Sequence, residues 1–317
     1  MQLGLESYSY NLAFEYGDMD VFAYLQRVKE LGLDGIQLNV VPHKRVGPYG
    51  HLGKWDQGHL RAVRELIGEF GFYIEIDTKQ SDISDLNRGL DFCEALGADI
   101  LRTYQIPENG TIDSDKAVHV LKQAVPRCRD VGVRIAFENH EYQTAAEVLQ
   151  VVQRVDSEWI GVFCDTGNGM TMWEDPDVTV EVLAPHAITS HFKDHVVIEE
   201  DGELIVATVP LGQGSMDLKK HFRLLSASSL KRINIEAVYA YRAPFRCSED
   251  EGAGGKLGQG AFTVIPGPFH ASFIPPPRFD ITPEVFEWED QLVADSVQFV
   301  KQLREECDNE EKNSPHT

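Results

Sequence analysis

Eight short apolar runs, each separated from the next by a helix-like stretch, constrain this 317-residue chain more than any other feature. The runs fall at 3–8, 35–40, 72–76, 99–104, 133–139, 159–165, 187–192 and 233–238. Between them, 20–31, 57–70, 84–96, 114–131 and 144–155 read as amphipathic helices. Val21, Leu25, Val28 and Leu31, for example, stand three and four apart, which gives a helix one apolar face. Gly32, Gly71, Gly97 and Gly132 are expected to end four of these helices, because glycine takes the left-handed conformation there without a Cβ clash. Strands alternating with helices pair in parallel through right-handed crossovers, and eight such units close on themselves. The expected fold is α/β, a single (β/α)8 TIM barrel over residues 1–304. A doubly wound open sheet is the competing arrangement. It has fewer strands and usually a glycine-rich phosphate loop after the first, where this chain has Ser7-Tyr8-Ser9-Tyr10-Asn11.

Two segments depart from the alternation. A long excursion, 242–280, follows the eighth strand. Its first part, 247–260, is glycine-rich and charged and reads as mobile. Its second part, 261–279, carries Phe262, Val264, Ile265, Phe269, Phe273, Ile274 and Pro275-Pro276-Pro277, too apolar to be left in water, and is expected to be a lid or a subunit contact. Thr282-Pro283 opens a C-terminal helix to about residue 303, and 305–317 reads as a disordered acidic tail.

Lysine and arginine number 29 against 51 acidic residues, a net charge of -22. Such a surface repels phosphate backbones and anionic bilayers, so nucleic acid and membrane are excluded as general partners. No apolar run approaches the roughly 18 residues that span a bilayer. The N-terminus lacks the basic start and apolar stretch of a signal peptide, which points to a cytoplasmic protein. Cys93, Cys128, Cys164, Cys247 and Cys307 are odd in number and form no C-x-x-C pair, so reduced thiols are expected.

Barrels carry their chemistry at the C-terminal ends of strands. The fifth run ends Phe137-Glu138-Asn139-His140-Glu141, the sixth Cys164-Asp165-Thr166-Gly167-Asn168, the seventh Ser190-His191-Phe192-Lys193-Asp194-His195, and the eighth contains Ile235-Glu236. Each has a plain structural reading: Glu138 as a salt-bridged group, Asp165 as turn or cap chemistry, His191 as a core histidine. Together, however, Glu138, Asp165, His191 and Glu236 place one metal-ligand type on each of four consecutive strands at comparable depth. Three carboxylates and one imidazole suit a hard divalent cation, with Mn2+ favoured and Mg2+ or Co2+ compatible. His140 lies two residues past Glu138 and so faces the same side. It reads either as a structural histidine or as a proton shuttle. Lys193 is a candidate to polarise a substrate oxygen, or else a surface pair with Asp194; His195, Arg242 and Trp173 are weaker pocket candidates. Gly212-Gln213-Gly214 is by itself only a turn signal.

These motifs, in this order, resemble the xylose-isomerase-like sugar phosphate isomerase/epimerase superfamily. The resemblance runs from Gly4-Leu5 to the terminal helix. It implies that Glu138, Asp165, His191 and Glu236 hold a divalent metal, and that Glu138 and Glu236 exchange a proton alpha to a carbonyl of a keto-sugar or polyol derivative. Ketose epimerases of this group often have a substrate-binding histidine where this chain has Asn168. That departure leaves room for a second outcome, a lyase. The superfamily also includes keto-inositol dehydratases and the catalytic subunits of C-glycoside deglycosidases, which act on 3-keto glycosides with a small second subunit. The expected partner is a small carbohydrate-like substrate, in a homo-oligomer or beside such a subunit.

Overall fold

Short polar side chains set the element boundaries. Asp20, Asp56, Asp82, Asp113, Asp175 and Asp217 stand at helix N-caps and accept from backbone N–H groups of the first turn, so part of the acidic excess is structural. Thr144 and Glu147 form a reciprocal capping box. Gly71, Gly97 and Gly132 end three helices at φ of 73°, 81° and 72°, as their positions suggested.

A computed structural model of the chain describes residues 1–79, 82–108 and 112–313. The strands are β1 (Gln2–Glu6), β2 (Gly35–Asn39), β3 (Tyr73–Asp77), β4 (Ile100–Thr103), β5 (Arg134–Glu138), β6 (Ile160–Asp165), β7 (Ala187–Phe192), β8 (His195–Glu200), β9 (Glu203–Thr208), β10 (Arg232–Ile235) and β11 (Arg242–Pro244). The helices are α1 (Asn11–Tyr16), α2 (Val21–Glu30), α3 (Gln57–Phe70), α4 (Ile83–Leu96), α5 (Ser114–Val131), α6 (Ala145–Val155), α7 (Pro176–Leu183), α8 (Leu218–Ser226) and α9 (Pro283–Asn313). Eight parallel strands close a barrel in the order β1-β10-β7-β6-β5-β4-β3-β2, with Gln2 paired to Arg232 and Gly4 to Gly35 across β1. The expected TIM barrel is present.

The main apolar cluster joins strand residues such as Leu3, Leu5, Ile36 and Leu38 to helix residues such as Val63, Leu86, Leu121 and Val148. The barrel's interior is more polar. Glu75 is fully buried there, and donors from Gln37, Thr189, Asn234 and Arg232 satisfy it. Gly4 and Gly35 leave room for the Tyr73 ring, which an added Cβ would meet at 2.1 and 2.2 Å. All five cysteines are free thiols. No described helix is long and apolar enough to cross a membrane.

Three expectations need correction. A hairpin, β8–β9, leaves the barrel after β7 and pairs with β11 as a small antiparallel sheet, which the alternating pattern did not anticipate. Ile274 of the apolar excursion is buried with Val196, Ile198 and Ile205 of that hairpin, and Ile265, Phe269 and Phe273 pack there partly buried, so part of their apolar surface is covered within the chain. The 247–260 segment, read as mobile, is seated on Trp173. Ala253 and Gly255 donate backbone hydrogen bonds to Met172 and Trp173, and a Cβ on Gly255 would fall 2.3 Å from the Phe262 ring. Gly252 and Gly255 serve close packing, whereas Gly254, Gly258 and Gly260 take positive φ. Finally, the acidic tail expected from residue 305 is helical as far as Asn313, and Cys307 is buried; 314–317 lie outside the described residues.

Candidate metal centre and active site

In the barrel order β5, β6, β7 and β10 are neighbours, so the residues that close them share one rim. Asp165 pairs in register with His191, and Glu138 with Phe163. Glu236 follows β10 directly and donates its backbone N–H to Phe192. The four residues proposed as ligands from the sequence are thereby brought to one place.

Their orientation follows from the groups behind them. Gln37 gives its amide N–H to Glu75, which leaves its oxygen to accept from His191 Nε2 at 2.6 Å. The other ring nitrogen, Nδ1, then faces the carboxylates and would give its lone pair to a bound cation. It stands 3.3 Å from Glu138 Oε1, 3.4 Å from Asp165 Oδ2 and 3.1 Å from Glu236 Oε2. Of these four buried atoms, Asp165 Oδ2 and Glu236 Oε2 also meet the Lys193 ammonium, while Glu138 Oε1 and His191 Nδ1 have no hydrogen-bond partner. Donors about 2.1 Å from one ion, at tetrahedral or octahedral angles, stand about 3.0–3.4 Å apart. The residues therefore fit a divalent cation. The ligand atoms of Glu138, Asp165 and His191 all lie within 4.8 Å of one another, and Glu236 joins them through His191. Asp165 performs both roles its sequence context allowed: Oδ1 accepts from the backbone of Gly167 and Asn168, while Oδ2 faces the centre.

Positive charge is favoured at this point. Burial opposes a charged His191, but Glu236, Asp165 and Glu138 outweigh it and hold the imidazole well above the usual histidine range. Burial likewise opposes the Lys193 charge, and Asp165 and Glu236 outweigh it. The Lys193 Nζ lies 2.8 Å from Asp165 Oδ2, contacts Glu236, and reaches Asn168 Oδ1 at 3.3 Å. On the opposite side the buried Arg102 bridges Asp77 and Glu138, with its guanidinium 4.5 Å above the Tyr104 ring.

Above the centre opens a cavity of about 320 Å³, lined among others by Tyr8, Asn39, Arg102, Tyr104, His140, Asn168, Lys193, Glu236 and Tyr241. Of the expected acid/base pair, Glu236 lines the cavity and Glu138 lies beneath it, fully buried. His140 also lines it, stacked on Tyr104 at 3.8 Å and 7°. Burial, reinforced by Arg102, pushes its imidazole below the usual histidine range despite Glu138 nearby, so it is neutral at pH 7.

Other candidates are not in the wall. Arg242 is paired with Glu200 of the hairpin and caps the Pro275 carbonyl, which removes it from the pocket. His195 is buried behind Lys193, stacked on Tyr241 and bonded to Thr208. Trp173 supports the excursion, with Phe245 4.1 Å away. None of 261–279 lines the cavity. Gly212 and Gly214 donate to Asp194, which fixes the loop after the hairpin.

The chain belongs to the xylose isomerase-like TIM barrel family, whose model matches residues 25–244. Among its relatives is a 3-oxo-isoapionate decarboxylase from Pectobacterium atrosepticum, 23% identical over 194 residues that make up 61% of this chain and 70% of that one. The structure of an L-ribulose 3-epimerase superposes with a TM-score of 0.65 at 15% identity, covering 100% of this chain and 99% of that one. The IolI protein, whose structure contains a zinc atom, superposes with a TM-score of 0.63 at 13% identity over 96% and 98% of the two chains. A decarboxylase and an epimerase are thus among the proteins this chain resembles.

Proposed function

We propose that this protein is a divalent-metal-dependent isomerase or epimerase that moves a proton alpha to a carbonyl of a keto-sugar or polyol derivative. The observation that carries the reading is the convergence of four buried ligand atoms, from Glu138, Asp165, His191 and Glu236, beneath a polar cavity. These residues would hold the ion, with Mn2+ the expected occupant. A divalent ion there would polarise the substrate carbonyl and stabilise the negative charge of an enediolate. Glu236, the one proposed ligand that lines the cavity, is placed to take the proton. His140, neutral and oriented by Tyr104, is placed to hold or return it. Arg102 holds Glu138 Oε2, which leaves Oε1 turned toward the centre.

Deuterium uptake from heavy water into ketoses, keto-inositols and 3-keto glycosides tests the reading. Uptake is expected with Mn2+ and is lost with a chelator. Uptake that is indifferent to the chelator would remove the metal from the proposal. His140→Asn is expected to keep the metal and lower turnover by about 10²-fold. Because its imidazole is held below the histidine range, the parent's rate should persist below pH 6.5. A parent rate that halves near pH 6.5 or above, or an unchanged rate in the variant, would return His140 to a structural role.

A second outcome has its own support. The Lys193 ammonium, beside Glu236 and Asn168, can protonate a departing group or pair with a substrate carboxylate. The relationship to a decarboxylase points the same way. On such a substrate the same site acts as a lyase, and product analysis in the exchange experiment separates the two.

A further inference from the structure

A second cavity, of about 300 Å³, adjoins the first. The two share Val41, Pro42 and Lys79 as lining residues, so they lie side by side. Their walls differ in kind. The first is lined by carboxylates, ammonium, guanidinium and amide groups. The second has Val40, Val41, Pro42, Gly89 and Phe92 in its wall, with Thr78, Lys79, Asp85 and Arg88 as its other lining residues, and more of its surface is apolar than polar. Arg88 is held in place, its guanidinium 5.5 Å from the Phe92 ring and 5.7 Å from the Tyr49 ring, with a hydrogen bond to the Pro48 carbonyl.

A free hexose or inositol carries hydroxyls on every side. Laid against Val40 and Phe92 it would bury several of them without partners, at about 1–3 kcal/mol each. A polar chamber at the metal beside a more apolar one suits a two-part ligand. We infer that the second chamber is a binding subsite for an apolar or aromatic substituent carried by the sugar-like substrate, so that the substrate class is a substituted sugar. This rests on the proposed function for where the sugar lies. It places the substituent between the β2 and β3 ends, on the side away from the 261–279 excursion, which is occupied with the hairpin.

The test uses two probes, phenyl β-D-glucopyranoside and methyl β-D-glucopyranoside, titrated calorimetrically into the Mn2+-loaded protein. The phenyl compound is expected to bind at least 10-fold more tightly. Asp85→Trp fills the second chamber from the partly exposed first turn of α4, and should reduce that advantage to within twofold. Asp85→Asn, of equal size, should retain it. Mn2+ affinity, measured separately, reports on folding and on the metal reading. Normal Mn2+ binding with equal affinity for the two probes, or with no saturable phenyl binding, would overturn the subsite and leave the metal centre standing. So would an advantage that survives in Asp85→Trp. Loss of Mn2+ binding in the parent protein would count against the proposed function instead.

Discussion

Glu236→Gln is expected to lower turnover by about 10²–10⁴-fold while leaving the fold intact, the range associated with loss of an acid/base group. Glu236 directly follows β10, and its backbone bond to Phe192 does not depend on the side chain. The amide is nearly isosteric, so packing is conserved. What changes is charge: the variant loses the negative group that faces His191 Nδ1 and Lys193. Metal retention must therefore be read in parallel, by elemental analysis of the purified variant. A variant that keeps both its metal and a rate within threefold of the parent would show that Glu236 is neither base nor ligand.

Arg102→Leu is expected to destabilise the protein by about 3–5 kcal/mol, the usual effect of stranding buried charge. Arg102 is 5% exposed and bridges two carboxylates that are themselves almost fully buried, Asp77 and Glu138. Without the guanidinium, Asp77 keeps its hydrogen bond from Asn39 and Glu138 its contact with His191, but each loses its close cationic partner. Arg102→Lys should recover only part of the loss, because a single ammonium cannot reproduce a planar fork that reaches two carboxylates at once. Urea titration of the three proteins decides the matter. A midpoint for Arg102→Leu that matches the parent's would mean that Asp77 and Glu138 find other partners.

Arg102 also illustrates what a linear sequence conceals. The four proposed ligands were legible because barrel geometry ties chemistry to strand ends, and each ended an apolar run with a recognisable donor. Gln37, Asp77 and Arg102 lie in β2, β3 and β4, where nothing in their spacing marks them. Their importance is a matter of which side chains meet inside a closed ring. The hairpin carried a signal that went unread. Asp201-Gly202, at φ of 50° and 84°, is the residue pair that a two-residue hairpin turn demands, and it divides two runs of β-forming residues. Recognising it would have supplied the apolar partner of Ile265, Phe269, Phe273 and Ile274, and with it the reason that 261–279 stays off the cavity. Arg242 misled for the same reason, since its partner Glu200 belongs to the unrecognised strand.

Glu289 has a consequence in time. This buried carboxylate of α9 accepts hydrogen bonds from Leu12 and Ala13 at the start of α1, the helix that brings Asn11 and Glu15 to the cavity. Burial still pushes its carboxyl up to about 8. Leu12 and Glu289 are 277 residues apart. At about 5–20 residues per second of synthesis, α1 waits roughly 14–55 s on the ribosome for its acceptor. β1 waits nearly as long for β10. The cavity's mouth is thus built from the earliest and latest parts of the chain, and a nascent barrel that already displays Glu138, Asp165 and His191 has no finished entrance until α9 has docked.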